Sequence, residues 1–96
     1  MAELTLISKS DRPFRAIVEA ALMNEYEELH NGIQKTQDRV RYFEEKYQMS
    51  TSEFLERFAQ NKLEHSFDFD EWIGESRMLD HLVQKAETLR SIEVAN

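Results

Sequence analysis

The sequence specifies an all-α fold of two long helices with a short middle one, arranged as an antiparallel hairpin or bundle, and three features say so. Two Gly and one Pro in 96 residues are too few to punctuate many short elements. Apolar residues recur at heptad steps through residues 22–47. Two stretches, MSTSEF and HSFDFDEW, carry the same helix-starting pattern.

Taken in order, residues 1–11 are expected to be a flexible N-terminus. They lack a basic start followed by a long apolar run, so they do not read as a secretory leader. Helix 1 is expected over about 12–48, capped by Ser10 or Asp11, with Pro13 in its first turn. Its apolar positions are Leu22, Tyr26, Leu29, Ile33, Val40, Phe43 and Tyr47, interrupted by Thr36. Phe14, Val18 and Ala21 precede them in a shifted frame, a local stutter. Asn31-Gly32 could close a helix, but the seam keeps its phase across the pair, which a turn would not do. One continuous helix is therefore expected. Helix 2 is expected over about 51–61, with Ser50 as N-cap, Glu53 completing a capping box and Met49 stapled to Phe54. Helix 3 is expected over about 69–91. There Asp68 would be the N-cap, Glu71 its reciprocal partner, and Phe67 would staple to Trp72. Its stripe is Trp72, Leu79, Leu82, Ala86 and Leu89, flanked by Ile73 and Val83. Helix 3 reads as too short to cover the seam of helix 1, so a second copy is expected to cover it in a coiled-coil-like homodimer.

The net charge is −7, and it is concentrated. Residues 49–75 hold Arg57 and Lys62 against seven acids, whereas residues 76–96 balance. An acidic surface repels phosphate backbones, which disfavours nucleic acid as a partner and favours a basic protein. A helix-turn-helix reading fails because no helix offers a basic recognition face. With no Cys there is neither a disulfide framework nor a thiolate metal site, and a cytoplasmic location fits. No apolar run approaches the ~18 residues of a membrane span.

Candidate chemistry dissolves on inspection. His65, Asp68 and Asp70 match no metal signature. Glu27 and His30 form one Glu-x-x-His, but a carboxylate di-iron site needs two. Glu25/Glu28 and Glu53/Glu56 supply Glu-x-x-Glu without the matching Glu-x-x-Asp of helical pyrophosphatases. No phosphate loop or nucleophile motif is present. The chain reads as a non-enzyme without cofactor or metal. What remains is the aromatic, acidic middle. Phe69, Asp70, Trp72 and Glu75 are the candidate partner-binding residues, with Phe69 as an anchor inside a charged rim.

The run FEEKYQMSTSEFLERF, followed by DFDEW and a leucine-rich helix, resembles a family of small all-helical prokaryotic proteins. Its pattern is an Ala-rich first helix, then F-E-x-K-Y-x-M-S-x-x-E-F, then D-x-x-E-W. Phe43, Glu44, Lys46, Tyr47, Met49, Ser50, Glu53, Phe54, Asp68, Glu71 and Trp72 match it, and Ala16–Leu22 corresponds to the Ala-rich start. The likeness covers most of residues 14–90. Gln48 departs from it, standing where the family has Gly, and the LEHS segment replaces a Gly-containing linker. Members are known mainly from gene pairs of the toxin–antitoxin type, as the antitoxin. The resemblance thus implies a protein that neutralises a basic toxin by binding it, and it carries over no catalytic residue. The alternatives are a dimerisation or assembly module without a toxin partner and, less favoured, a DNA-binding regulator.

Overall fold

The structure, a computed structural model, describes residues 1–95. It contains three helices and, among the described residues, no strand: α1 Arg15–Tyr47, α2 Thr51–Ala59 and α3 Phe67–Arg90. Helices α1 and α3 pack against each other. Their polar contacts run antiparallel. Lys46 meets Asp68, Arg39 meets Glu75, Glu25 meets Lys85, and Arg15 donates to the Val94 carbonyl. The result is a rod of 61 × 24 × 18 Å.

Helix α1 runs unbroken through Asn31-Gly32, as the seam phase requires. Gly32 lies where α3 approaches: a Cβ built on it would sit 3.5 Å from a Leu82 methyl. Thr36, the interruption in the seam, is buried, and its hydroxyl donates to the Gly32 carbonyl at 2.8 Å. A hydroxyl satisfied within its own helix can occupy a core position without leaving an unpaired polar group.

The helix ends differ from expectation at two of the three starts. Helix α1 begins at Arg15, after Phe14, without a side-chain cap. Ser10 instead accepts from the Arg12 amide in the preceding turn, and Pro13 stands just outside the helix. Ser50 caps α2 as expected, accepting from the Glu53 amide at 3.1 Å. The third start is described below with the site.

Helices α1 and α2 each end on a residue in left-handed conformation, Gln48 (φ 52°) and Asn61 (φ 57°). The Glu44 carbonyl accepts from both Gln48 and Met49, while Lys62 and Asn61 donate to Arg57 and Phe58. Both ends use the 6→1 bond of a Schellman closure, whose left-handed residue is usually Gly or Asn. Gln48 therefore stands at a position whose backbone favours Gly, and its side-chain amide donates to the Glu45 carbonyl at 2.6 Å.

Part of the seam is covered within a single chain. Leu29, Val40 and Phe43 are buried within one chain, and Leu22, Tyr26, Ile33 and Tyr47 are half-buried. The reason is direction. Helix α3 starts beside the C-terminal end of α1 and returns along it, and residues 91–94 continue the return as far as Arg15.

Candidate functional site

The elbow where α1, α2 and α3 converge holds the hydrophobic core cluster around Phe43, Phe54 and Trp72. Trp72 and Phe54 are fully buried, their rings stacked with centroids 3.9 Å apart. Phe43 and Tyr47 stack on Trp72 from α1, at 5.8 and 6.0 Å. Met49, Phe58, Leu63, Phe69 and Ile73 close around them. Met49 and Phe54 thus share one apolar cluster, as the proposed staple at α2 requires. The apolar residues of α2 face this cluster because Phe54 and Phe58 are four residues apart.

Polar groups at the elbow are matched in series. The Trp72 indole donates to the Thr51 hydroxyl at 3.0 Å, and that hydroxyl donates to the Glu44 carboxylate at 3.0 Å. The same carboxylate oxygen accepts from the Thr51 amide at 2.9 Å. A buried indole N–H without an acceptor would be destabilising. Glu44 also supplies the negative charge that the first turn of α2 favours. On the other side, Asp68 accepts from Lys46 Nζ at 2.6 Å and from the Tyr47 hydroxyl at 2.5 Å. The Lys46 and Tyr47 hydrogen bonds hold the Asp68 carboxyl below its ordinary value of 3.8. The bond to Asp68 in turn raises both Lys46 and Tyr47.

Those two contacts overturn the expected start of α3. Asp68 is not the N-cap. Ser66 is, accepting from the Phe69 amide at 3.1 Å, and the helix starts at Phe67. The Asp68–Glu71 capping box does not form, because Asp68 lies within the first turn and faces α1. The Phe67–Trp72 staple does not form either: Phe67 is 94% exposed. Helical phase gives the reason. Phe69 lies three residues before Trp72 and shares its face, whereas Phe67 lies five before and points away. Phe69 therefore packs on Tyr47 at 5.0 Å and Phe54 at 5.1 Å.

The expected partner-binding set accordingly divides. Trp72 is interior, and Phe69 belongs to the core cluster. Glu75 leans on Arg39 at 3.3 Å, and its second oxygen is buried without a hydrogen-bond partner. Asp70 is exposed, with His65 3.9 Å away. Of the four, Asp70 lies open to a partner. Phe67, assigned to a staple by its sequence position, joins it at the surface. The sequence signal that could have found this is Ser66, a cap-forming residue three before Phe69; unlike Asp68-x-x-Glu71, it completes no box. Next to Phe67 and Asp70 in the chain, Glu64 and Glu71 are exposed and form no ion pair among the described residues. No group of three or more His, Asp or Glu side chains among the described residues converges to hold a metal, and no described helix is long and apolar enough to cross a membrane.

No family model matches the chain, and neither a curated protein nor a solved structure matches it.

Proposed function

We propose that this chain is a non-enzymatic binding module that captures a basic protein at the elbow, in the manner of an antitoxin neutralising a basic toxin. The observation that carries this reading is Phe67: a large aromatic, 94% exposed, at the first position of α3. Glu64, Asp70 and Glu71 surround it in the chain, within the segment that concentrates most of the net negative charge. An apolar anchor within a charged rim suits a partner whose cations are steered in by the acids and whose apolar surface then seats on the ring. The antitoxin form of the reading rests on the resemblance of FEEKYQMSTSEF and DFDEW to proteins of toxin–antitoxin gene pairs.

The test is co-expression with the product of any adjacent gene that encodes a basic protein, with complex mass and affinity measured in solution and growth followed in cells. A complex that restores growth is expected. Phe67→Ala should weaken it by roughly 30-fold, about 2 kcal/mol. Glu71→Lys should chiefly slow association and flatten its salt dependence. Unchanged affinity in both variants would remove the elbow as the binding surface.

A further inference from the structure

Beside its buried stripe α3 carries an exposed one. Phe67, Glu71, Gly74, Met78 and His81 follow one another by steps of four, three, four and three, and all five are exposed. Residues so spaced lie in one line along a helix. From Phe67 to Met78 the line runs about 16 Å. Phe67 is 94% exposed and Met78 50%, and they stand on either side of Gly74.

Gly74 marks the middle of this line as a place of close approach. The chain has two glycines, both inside helices. Gly32 has a reason within the chain: a Cβ there would meet a Leu82 methyl at 3.5 Å, because α3 approaches at that point. Gly74 has none, since a Cβ there would meet nothing within 4 Å. Glycine is the poorest helix former after proline, so at this exposed interior position almost any other residue would serve α3 better. A missing side chain between two exposed apolar ones leaves a notch in which a partner's backbone can lie close.

The spacing says what kind of element fits. A seam of 3.5 residues per turn is followed by another helix, whose side chains recur at the same interval, and not by a strand, whose side chains alternate. Charge says what kind of helix. Residues 64–81 carry Glu64, Asp68, Asp70, Glu71, Glu75 and Asp80 against Arg77. From α1, Lys46 and Arg39 engage Asp68 and Glu75, and Lys35 stands one turn before Arg39. Six acids against these four cations, with His65 and His81 neutral, leave two acids in excess. The exposed Asp70 and Glu71 border the notch itself, four and three residues before Gly74. The same excess repels a second copy of this face.

We infer that the outer stripe of α3 is the seat of a basic amphipathic helix, which crosses at Gly74 with its apolar side between Phe67 and Met78 and its cations toward Asp70 and Glu71. This rests on the elbow reading for a basic partner, and it adds that partner's shape and where it lies.

A synthetic helical peptide, titrated calorimetrically into the full chain, tests this. It has about 20 residues of Ala, Leu and Lys, with the small and apolar residues on one stripe and Lys on both flanks. Saturable binding is expected, and a peptide with Glu in place of every Lys should not bind. A central Pro, which keeps the charge and breaks the helix, should weaken binding roughly tenfold or more. Gly74→Gln should weaken it by a similar factor while raising the melting temperature of the chain alone, because its Cβ meets nothing and Gln is the better helix former. Met78→Ala should weaken it about threefold. Absence of binding at about 100 μM, equal affinity of the Glu or Pro peptide, or full affinity in both Gly74→Gln and Met78→Ala overturns the inference. So does self-association of the chain alone that Gly74→Gln abolishes, read as sedimentation mass. If Phe67→Ala weakens capture of a basic protein while Gly74→Gln leaves both it and the peptide unchanged, the elbow reading stands and the helix seat falls. If Gly74→Gln weakens the peptide and Phe67→Ala does not, the seat stands and the elbow loses Phe67 as its anchor.

Discussion

The two ends of the rod are built differently from the same two helices. At the elbow, three helices converge and bury Phe43, Phe54 and Trp72 in a stack of rings, with the indole and its acceptors matched in series. At the far end two helices meet alone. Leu29 is buried there, but Leu22, Tyr26, Ile33, Val83, Ala86 and Leu89 remain half-exposed. A pair of helices can cover one stripe on each, and a third element is needed to close the core. The contrast teaches where stability resides. The elbow is sufficient in itself, and its outer surface is free for recognition. The far half is folded with less of its apolar stripe buried.

The largest expected effect breaks the elbow. Trp72→Ala should destabilise the chain by about 3–5 kcal/mol, a large share of the ~5–15 kcal/mol of an ordinary domain, in urea titration at fixed protomer concentration. Loss below 1 kcal/mol would mean that the ring stack does not organise the fold. Gly32→Ala acts in the other half. The added methyl meets Leu82 at an ordinary contact distance, and Ala exceeds Gly in a helix by about 1 kcal/mol, so the melting temperature should rise by several degrees. A fall would place a bend or close approach at residue 32.

Ser66→Ala should lose about 1 kcal/mol by removing the cap of α3, and amide exchange should quicken in residues 67–69 rather than at the far end. If Ser66→Ala is silent, α3 does not start where Ser66 places it. The smallest effect comes from acid. Asp68 is held below its ordinary value in the folded chain, so the folded state binds its proton less readily than the unfolded one. Its contribution is complete above the ordinary value of 3.8 and is lost as pH falls through the depressed folded value. Asp68→Asn should shallow that acid limb, with the elbow's Trp72 fluorescence as the reporter, and an unchanged limb would detach Asp68 from the elbow's stability.

Much of this was legible one residue at a time. The seam that kept phase through Asn31-Gly32 required one continuous helix, because heptad spacing survives only if every residue keeps its turn. Ser50 and Glu53 set the start of α2 through purely local bonds. The all-helical class, with its short middle element, followed from these and from the scarcity of Gly and Pro. Tertiary contacts decided the start of α3 and, with it, which phenylalanine faces out. Within the HSFDFDEW stretch two caps compete, and local grammar prefers Asp68 with Glu71. Lys46 and Tyr47, more than twenty residues away, take the Asp68 carboxylate instead, and burial of Phe69 against Phe54 and Tyr47 favours the earlier start. The direction of α3 was decided the same way. A stripe read from the sequence says which residues seek cover, but which surface covers them depends on how the chain returns, and that is a property of the whole fold.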